Sequence, residues 1–300
     1  LINLKNERPI LKMDKPIDCD NILSTTYLNK DILKIVFSYL IDDLQSYIWI
    51  KDGIYIMKIL LKCGADPNQK DEHGRTTLSW SVYKYNSVYE NTSEMIKLLL
   101  KYGANVNLKC GNRYQTILMH TSEPYVMELL LKKGANPNIN GGIAKETHIM
   151  YYLYTQRASH YRVIELLLKY GADPNGKDDY GRSNLEYVLK RISYNIAGLL
   201  LKYGADINAQ DKYGKTCLMN LFYNESTIIF LVEHGANLNI QDKTGKTALM
   251  LNPDSVNVGL LLKYGADPNI QDYEGNTALM LSNDKKRFIK TQSVSGLVED

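Results

Sequence analysis

A Gly-Ala pair followed by Asp or Asn returns seven times along this chain, at Gly64, Gly103, Gly134, Gly171, Gly204, Gly235 and Gly265. The spacings are 39, 31, 37, 33, 31 and 30 residues. Self-similarity at a fixed period defines a stack of small supersecondary units, each of which buries its apolar face only against its neighbours. Upstream of each pair runs an apolar stripe seven, four and three residues before the Gly: Met57, Leu60 and Leu61; Ile96, Leu99 and Leu100; Ile164, Leu167 and Leu168; Val258, Leu261 and Leu262. That is one face of a helix. The Gly then ends it, because Gly alone enters the left-handed region at no steric cost.

Downstream, an extended piece of the type Ala-Asp-Pro-Asn leads to Asp-x-x-Gly at Asp71–Gly74, Asp178–Gly181, Asp211–Gly214, Asp242–Gly245 and Asp272–Gly275. This pattern predicts a turn in which the Asp side chain accepts from nearby amides and the Gly supplies permissive dihedrals. Thr-x-Leu follows at Thr76, Thr116, Thr216, Thr247 and Thr277, where a hydroxyl suits a helix start. Each unit therefore reads as a protruding hairpin, a first helix and a second helix.

These motifs in phase, Asp-x-x-Gly-x-Thr-x-Leu and Leu-Leu-x-x-Gly-Ala-Asp-x-Asn, resemble the ankyrin repeat. The resemblance implies an all-α solenoid of paired antiparallel helices with protruding β-hairpin loops. It implies protein–protein recognition as the function, with partners bound on the hairpin tips and first helices of the concave side. The expected division is residues 1–40 as an N-terminal segment, 41–290 as an array of about seven repeats and 291–300 as a frayed end. The third and fourth units, at Leu108–Gln115 and Ile139–Glu146, lack Asp-x-x-Gly, so weaker stacking is expected around residues 105–160. At Gly245-Lys246-Thr247-Ala248-Leu249-Met250 the family's Thr-Pro-Leu-His helix start is altered, and Met stands where the His would bond across repeats. This flavour, with the bias towards Asn, Lys and Tyr, looks like the ankyrin proteins of large DNA viruses, which implies a host partner and the host cytoplasm.

The tips supply candidate binding residues. Lys70, His73, Lys177, Tyr180, Lys212, Tyr213, Lys243 and Tyr273 lie on or beside them and define an aromatic, basic surface. Tyr anchors interfaces well, since it buries much area at small entropic cost. The plain alternative is a soluble turn copied by gene duplication.

Residues 1–27 show no repeat. Leu28, Ile32, Leu33, Val36, Phe37 and Leu40 then make one helical face, with Asn29 placed to cap it. Together with Asp43-Leu44 this resembles the opening of an F-box, Asn29 standing where the family has Pro. Two readings stand side by side: a helix that docks on the adaptor of a cullin-type ubiquitin ligase, or the apolar N-terminal cap of the array.

The rest of the sequence excludes classes of function. Net charge is +3, too mild to demand nucleic acid. The Lys two residues before six of the seven Gly, at Lys62, Lys101, Lys132, Lys169, Lys202 and Lys263, reads as a complement to the helix C-terminus rather than as a nucleic-acid ladder. No apolar run approaches the roughly 18 residues of a membrane span, and the opening residues do not read as a signal peptide. The four cysteines are scattered, with no zinc or disulfide pattern, and read as reduced thiols of a cytosolic protein. The five histidines fall in different phases of different repeats, so no metal site is expected. No phosphate loop, dinucleotide fingerprint or carboxylate pair with a catalytic spacing is present. The expectation is a monomer with no catalytic residue, cofactor or metal.

Overall fold

The computed structural model describes residues 53–282, with breaks at 63, 72, 86–91, 112–114, 122, 143–144, 155–159, 222–223 and 252–256, together with Lys285 and Ile289. The helix expected around Leu28–Leu40 and the end expected to fray lie outside these residues. The chain forms two compact units, residues 1–84 with 89–105 and residues 85–88 with 106–300. Among the described residues every named element is helical.

The first unit contains α1 (Gly53–Lys62), α2 (Thr77–Tyr85) and α3 (Thr92–Lys101). The second unit alternates short first helices with longer second helices: α4 (Ile117–His120), α5 (Pro124–Lys132), α6 (His148–Tyr154), α7 (His160–Lys169), α8 (Asn184–Lys190), α9 (Tyr194–Lys202), α10 (Cys217–Asn220), α11 (Glu225–Glu233), α12 (Ala248–Leu251), α13 (Val258–Lys263) and α14 (Ala278–Leu281). First helices pack on first helices, α4 on α6 on α8 and α10 on α12 on α14, while α5, α7 and α9 form a second layer. The core lies between the layers. Ile164, Leu167, Leu200, Leu231 and Leu261, all on the predicted stripe, are fully buried. Pro124 opens α5, where its missing N–H is no loss.

The Gly-Ala pair is the stop signal its composition suggests. Gly171 sits at φ +88. Its N–H donates to Leu168 O at 3.1 Å, and the Ala172 N–H reaches back to Leu167 O at 2.9 Å. This two-bond closure satisfies the last carbonyls of α7 and tucks the Ala172 methyl under the helix end. The same pair of bonds closes the other six copies.

The hairpin turns form as predicted. Asp178 Oδ1 accepts from the Tyr180 and Arg182 amides at 2.9 and 3.0 Å, and Asp71, Asp211, Asp242 and Asp272 repeat this pattern. In the units without Asp-x-x-Gly the hairpins close on bridges Cys110–Gln115 and Gly141–Glu146, one residue tighter than Lys177–Ser183. Burial opposes ionisation of Asp242, but hydrogen bonds from Thr244 and the Lys246 amide outweigh it and hold its carboxyl low. The Asn276 amide does the same for Asp272. Both folded-state pKa values lie below the ordinary 3.8. Their contribution to stability is complete above that pH and is lost as the pH falls through the lower folded value. Acid titration of the Asp242→Asn variant should accordingly show a shallower loss below about pH 4 than wild type.

Candidate partner-binding surface

Adjacent repeats are joined by side chains that reach forward to the next unit. Within the first unit, Asn68 Nδ2 donates to Gly103 O at 3.2 Å, while its Oδ1 accepts from the Asn105 amide at 2.6 Å. Within the second, Asn107 spans to Gly134 and Asn136, Asn138 to Gly171 and Asp173, and Asn175 to Gly204 and Asp206. This ladder runs without a gap through residues 105–160. These Asn residues are half-exposed or exposed, and they fix the neighbouring repeat. Removing both bonds with Asn175→Ala should lower stability by about 1–2 kcal/mol, measurable by urea unfolding.

A second ladder ties the first helices. Thr116 Oγ1 pairs with His148 Nε2 at 2.6 Å, Thr147 Oγ1 donates to Asn184 Oδ1 at 2.5 Å, and Ser183 Oγ faces Cys217 Sγ at 3.7 Å. Thr147 also caps its own helix through the Met150 amide, and Ser183 and Thr277 cap theirs. Thr116 makes no cap bond; its hydroxyl pairs with His148. The family's cross-repeat His is thus replaced by residues one step after the Thr. Burial pushes the His148 imidazole down to about 4 and the Cys217 thiol up to about 12.

A third set joins the hairpins themselves. Gln210 Nε2 donates to Gly214 O and to Gln241 O of the next unit, at 2.6 and 3.0 Å, and Gln241 repeats this towards Gly245 and Gln271. Lys177, at the equivalent position, sends its ammonium to Gln210 O at 2.8 Å. The backbones touch as well: Lys243 N–H donates to Tyr213 O at 3.0 Å, and Tyr273 N–H to Thr244 O at 3.2 Å. A Cβ on Gly214, at φ +80, would lie 2.8 Å from the Lys243 amide nitrogen. Gly214→Ala should therefore cost about 1–2 kcal/mol for the left-handed backbone, plus whatever is needed to part the two hairpins. A Gly214→Ala melt equal to wild type would contradict this close approach.

In the second unit Tyr180, Tyr213 and Tyr273 are 51%, 58% and 74% exposed. Lys212 Nζ lies 4.6 Å from the Tyr180 ring centroid and 5.1 Å from that of Tyr213. The Arg182 guanidinium sits between Tyr180 and Tyr187, at 4.9 and 5.0 Å, and donates to Asp178 Oδ2 at 2.6 Å. Tyr187 OH also donates to Asp178 at 3.1 Å; burial first, then the carboxylate, push its pKa up to about 12. Lys70 and His73 are exposed on the hairpin of the first unit. There Asp71 is held by Arg75 Nε at 2.8 Å and Trp80 Nε1 at 3.2 Å. Trp80, Tyr187 and Asn220 each stand nine residues after a turn Asp, and each reaches its carboxylate from the first helix. The sequence carries that recurrence as a nine-residue spacing, and carries a Gln before the turn Asp at Gln210, Gln241 and Gln271. No group of His, Cys, Asp and Glu among the described residues is arranged to hold a metal. No helix among them is long and apolar enough to cross a membrane.

A stack of hairpin–helix–helix units whose neighbours are tied by Asn and Gln ladders defines a helical repeat protein with an exposed row of tips. A family profile described as ankyrin repeats (3 copies) matches residues 47–141, 122–211 and 193–272. The chain belongs to the ankyrin-repeat family. Among solved structures it is similar to the ankyrin repeat domain of Bcl-3, described as a unique member of the IkappaB protein family. That likeness has 25% identity and a TM-score of 0.65, and covers 74% of this chain and all of the other. Among curated proteins it is 35% identical over 71 residues to the E3 ubiquitin-protein ligase KEG of Arabidopsis thaliana. The match spans 23% of this chain and 4% of that protein.

Proposed function

We propose that the protein is a non-catalytic recognition scaffold that binds a partner protein on its hairpin tips. The observation that carries this reading is the exposed Tyr180, Tyr213 and Tyr273 row on hairpins locked to one another. Pre-ordered tips lose little entropy on binding, and aromatic anchors supply most of the energy of small interfaces. The viral resemblance makes the partner a host protein met in the cytoplasm. The test is a tagged pulldown from eukaryotic lysate with mass spectrometry. The Tyr180→Ser, Tyr213→Ser variant should lose its main prey by roughly thirtyfold or more, the scale of two anchors, while melting as wild type does. Unchanged prey recovery would remove the tips from the interface.

A second reading rests on the F-box-like pattern of Leu28, Ile32, Leu33, Val36, Phe37 and Leu40. In it the helix docks on a cullin-ligase adaptor and the repeats select the substrate. Its test is the same pulldown with Leu33→Asp, Phe37→Asp. Loss of cullin-ligase subunits at an unchanged melt supports docking. A lowered melt with no such subunits in either sample assigns the helix to capping.

A further inference from the structure

We infer that the tips of the hairpins at residues 176–183, 209–216 and 240–247 receive an acidic, extended polypeptide segment, with one carboxylate on Lys212 and another on Lys243. This rests on the partner-binding reading above and names the partner's chemistry.

Most of the charges at the tips are already paired. Asp178 is held by Arg182 and Tyr187. Asp242 is held by Thr244 and two amides, with Lys215 close enough to favour its ionised form. Asp272 has two amides and the charge of Lys246. Exposed Asp179 lies 3.4 Å from Lys145. Lys177, counted as a contact residue from sequence, spends its ammonium on Gln210 O. Asp211 is held by the Tyr213 and Lys215 amides and by Asn220. Lys212 and Lys243 remain: both are exposed, and neither has an ion-pair partner among the described residues. The Tyr rings beside Lys212 hold the ammonium in place without neutralising it. Two uncompensated cations on consecutive repeats, the first held against aromatic rings, complement a segment that carries carboxylates and some apolar bulk.

Geometry adds a register. Neighbouring helical layers lie about 8–10 Å apart. A polyproline II segment advances about 3.1 Å per residue with three residues per turn, so its same-face side chains recur about every 9 Å. Carboxylates three residues apart on such a segment meet successive tips.

The probe is a fluorescein-labelled peptide of five Glu-Pro-Pro triplets, titrated with the full chain at low ionic strength and read by anisotropy. Three proteins are compared: wild type, Lys212→Glu with Lys243→Glu, and Lys202→Glu with Lys263→Glu at the helix ends, each checked by its melt. The inference expects saturable binding that weakens at least about tenfold in the tip variant and by less than about twofold in the helix-end variant, although both change net charge equally. It is overturned by no binding to wild type, by equal weakening in both variants, or by a fifteen-residue oligothymidylate that displaces the peptide and binds more tightly. Should the tyrosine variant lose its prey in the pulldown while the glutamate peptide fails to bind, the surface stands and the acidic partner falls. Should neither respond, both fall.

Discussion

Tyr152→Ala should destabilise the second unit by about 3–5 kcal/mol, the range for emptying a buried aromatic site. Tyr152 is among the largest fully buried side chains, on α6 in the middle of the stack. Its hydroxyl donates to Leu118 O and Thr121 O of the preceding repeat. Those carbonyls end α4, a helix of only four residues that closes just before Pro124 and has no Gly stop of its own. Tyr152 is thus both a core ring and the C-terminal cap of its neighbour's helix. Tyr152→Phe separates the two roles. It keeps the ring and orphans the carbonyls, and should cost about 1–3 kcal/mol. Urea unfolding followed by far-UV circular dichroism checks both. A Phe variant as stable as wild type would mean that the carbonyls find another donor.

His148 should weaken wild type as the pH falls from about 6.5 to 4, and His148→Asn should remove that contribution. Burial puts the folded-state pKa of His148 at about 4, against 6.5 for an ordinary imidazole. Above pH 6.5 neither state is protonated and the contribution is constant. As the pH falls, the unfolded chain takes up the proton and the folded chain does not, so unfolding gains up to about 3 kcal/mol at roughly 1.4 kcal/mol per pH unit. Below pH 4 the folded state protonates too and the loss levels off. Asn is the natural replacement, since Asn184 occupies the matching place one repeat on and accepts from Thr147. Glu186 acts with the opposite sign. Burial raises its pKa, so protonation relieves a cost as the pH drops. Subtracting the variant's stability from wild type's at each pH cancels this and the turn aspartates. A difference curve that stays flat from pH 7 to 4 would sink the assignment.

What the sequence disclosed and what it withheld divide by physical cause. The helix stripes, the Gly-Ala stops and the Asp turns were legible because each is a local rule: a helix face, a left-handed residue, a carboxylate two residues from the amide it accepts. Thr116–His148, Thr147–Asn184 and Ser183–Cys217 were not, because they join positions more than thirty residues apart in a column whose identity changes at every step. Further on, Ala248 and Ala278 fill the same column and the ladder lapses; Thr247 Oγ1 is buried with no hydrogen-bond partner. Lys177 shows the same limit at the tips. Its place beside Tyr180 suggested a contact residue, whereas its ammonium is bound to the following hairpin.

The Asn, Gln and Thr ladders described above point the same way along the chain, each repeat grasping the one after it. A unit therefore carries in its own stretch of sequence the forward half of every junction and the backward half of the previous one. Copying or excising one whole period leaves each new boundary with both halves of the Asn ladder, while an edit of half a period strands them. Chains built this way change length in whole units, and the uneven spacings between Gly64 and Gly171 show where extra residues were admitted without disturbing the frame.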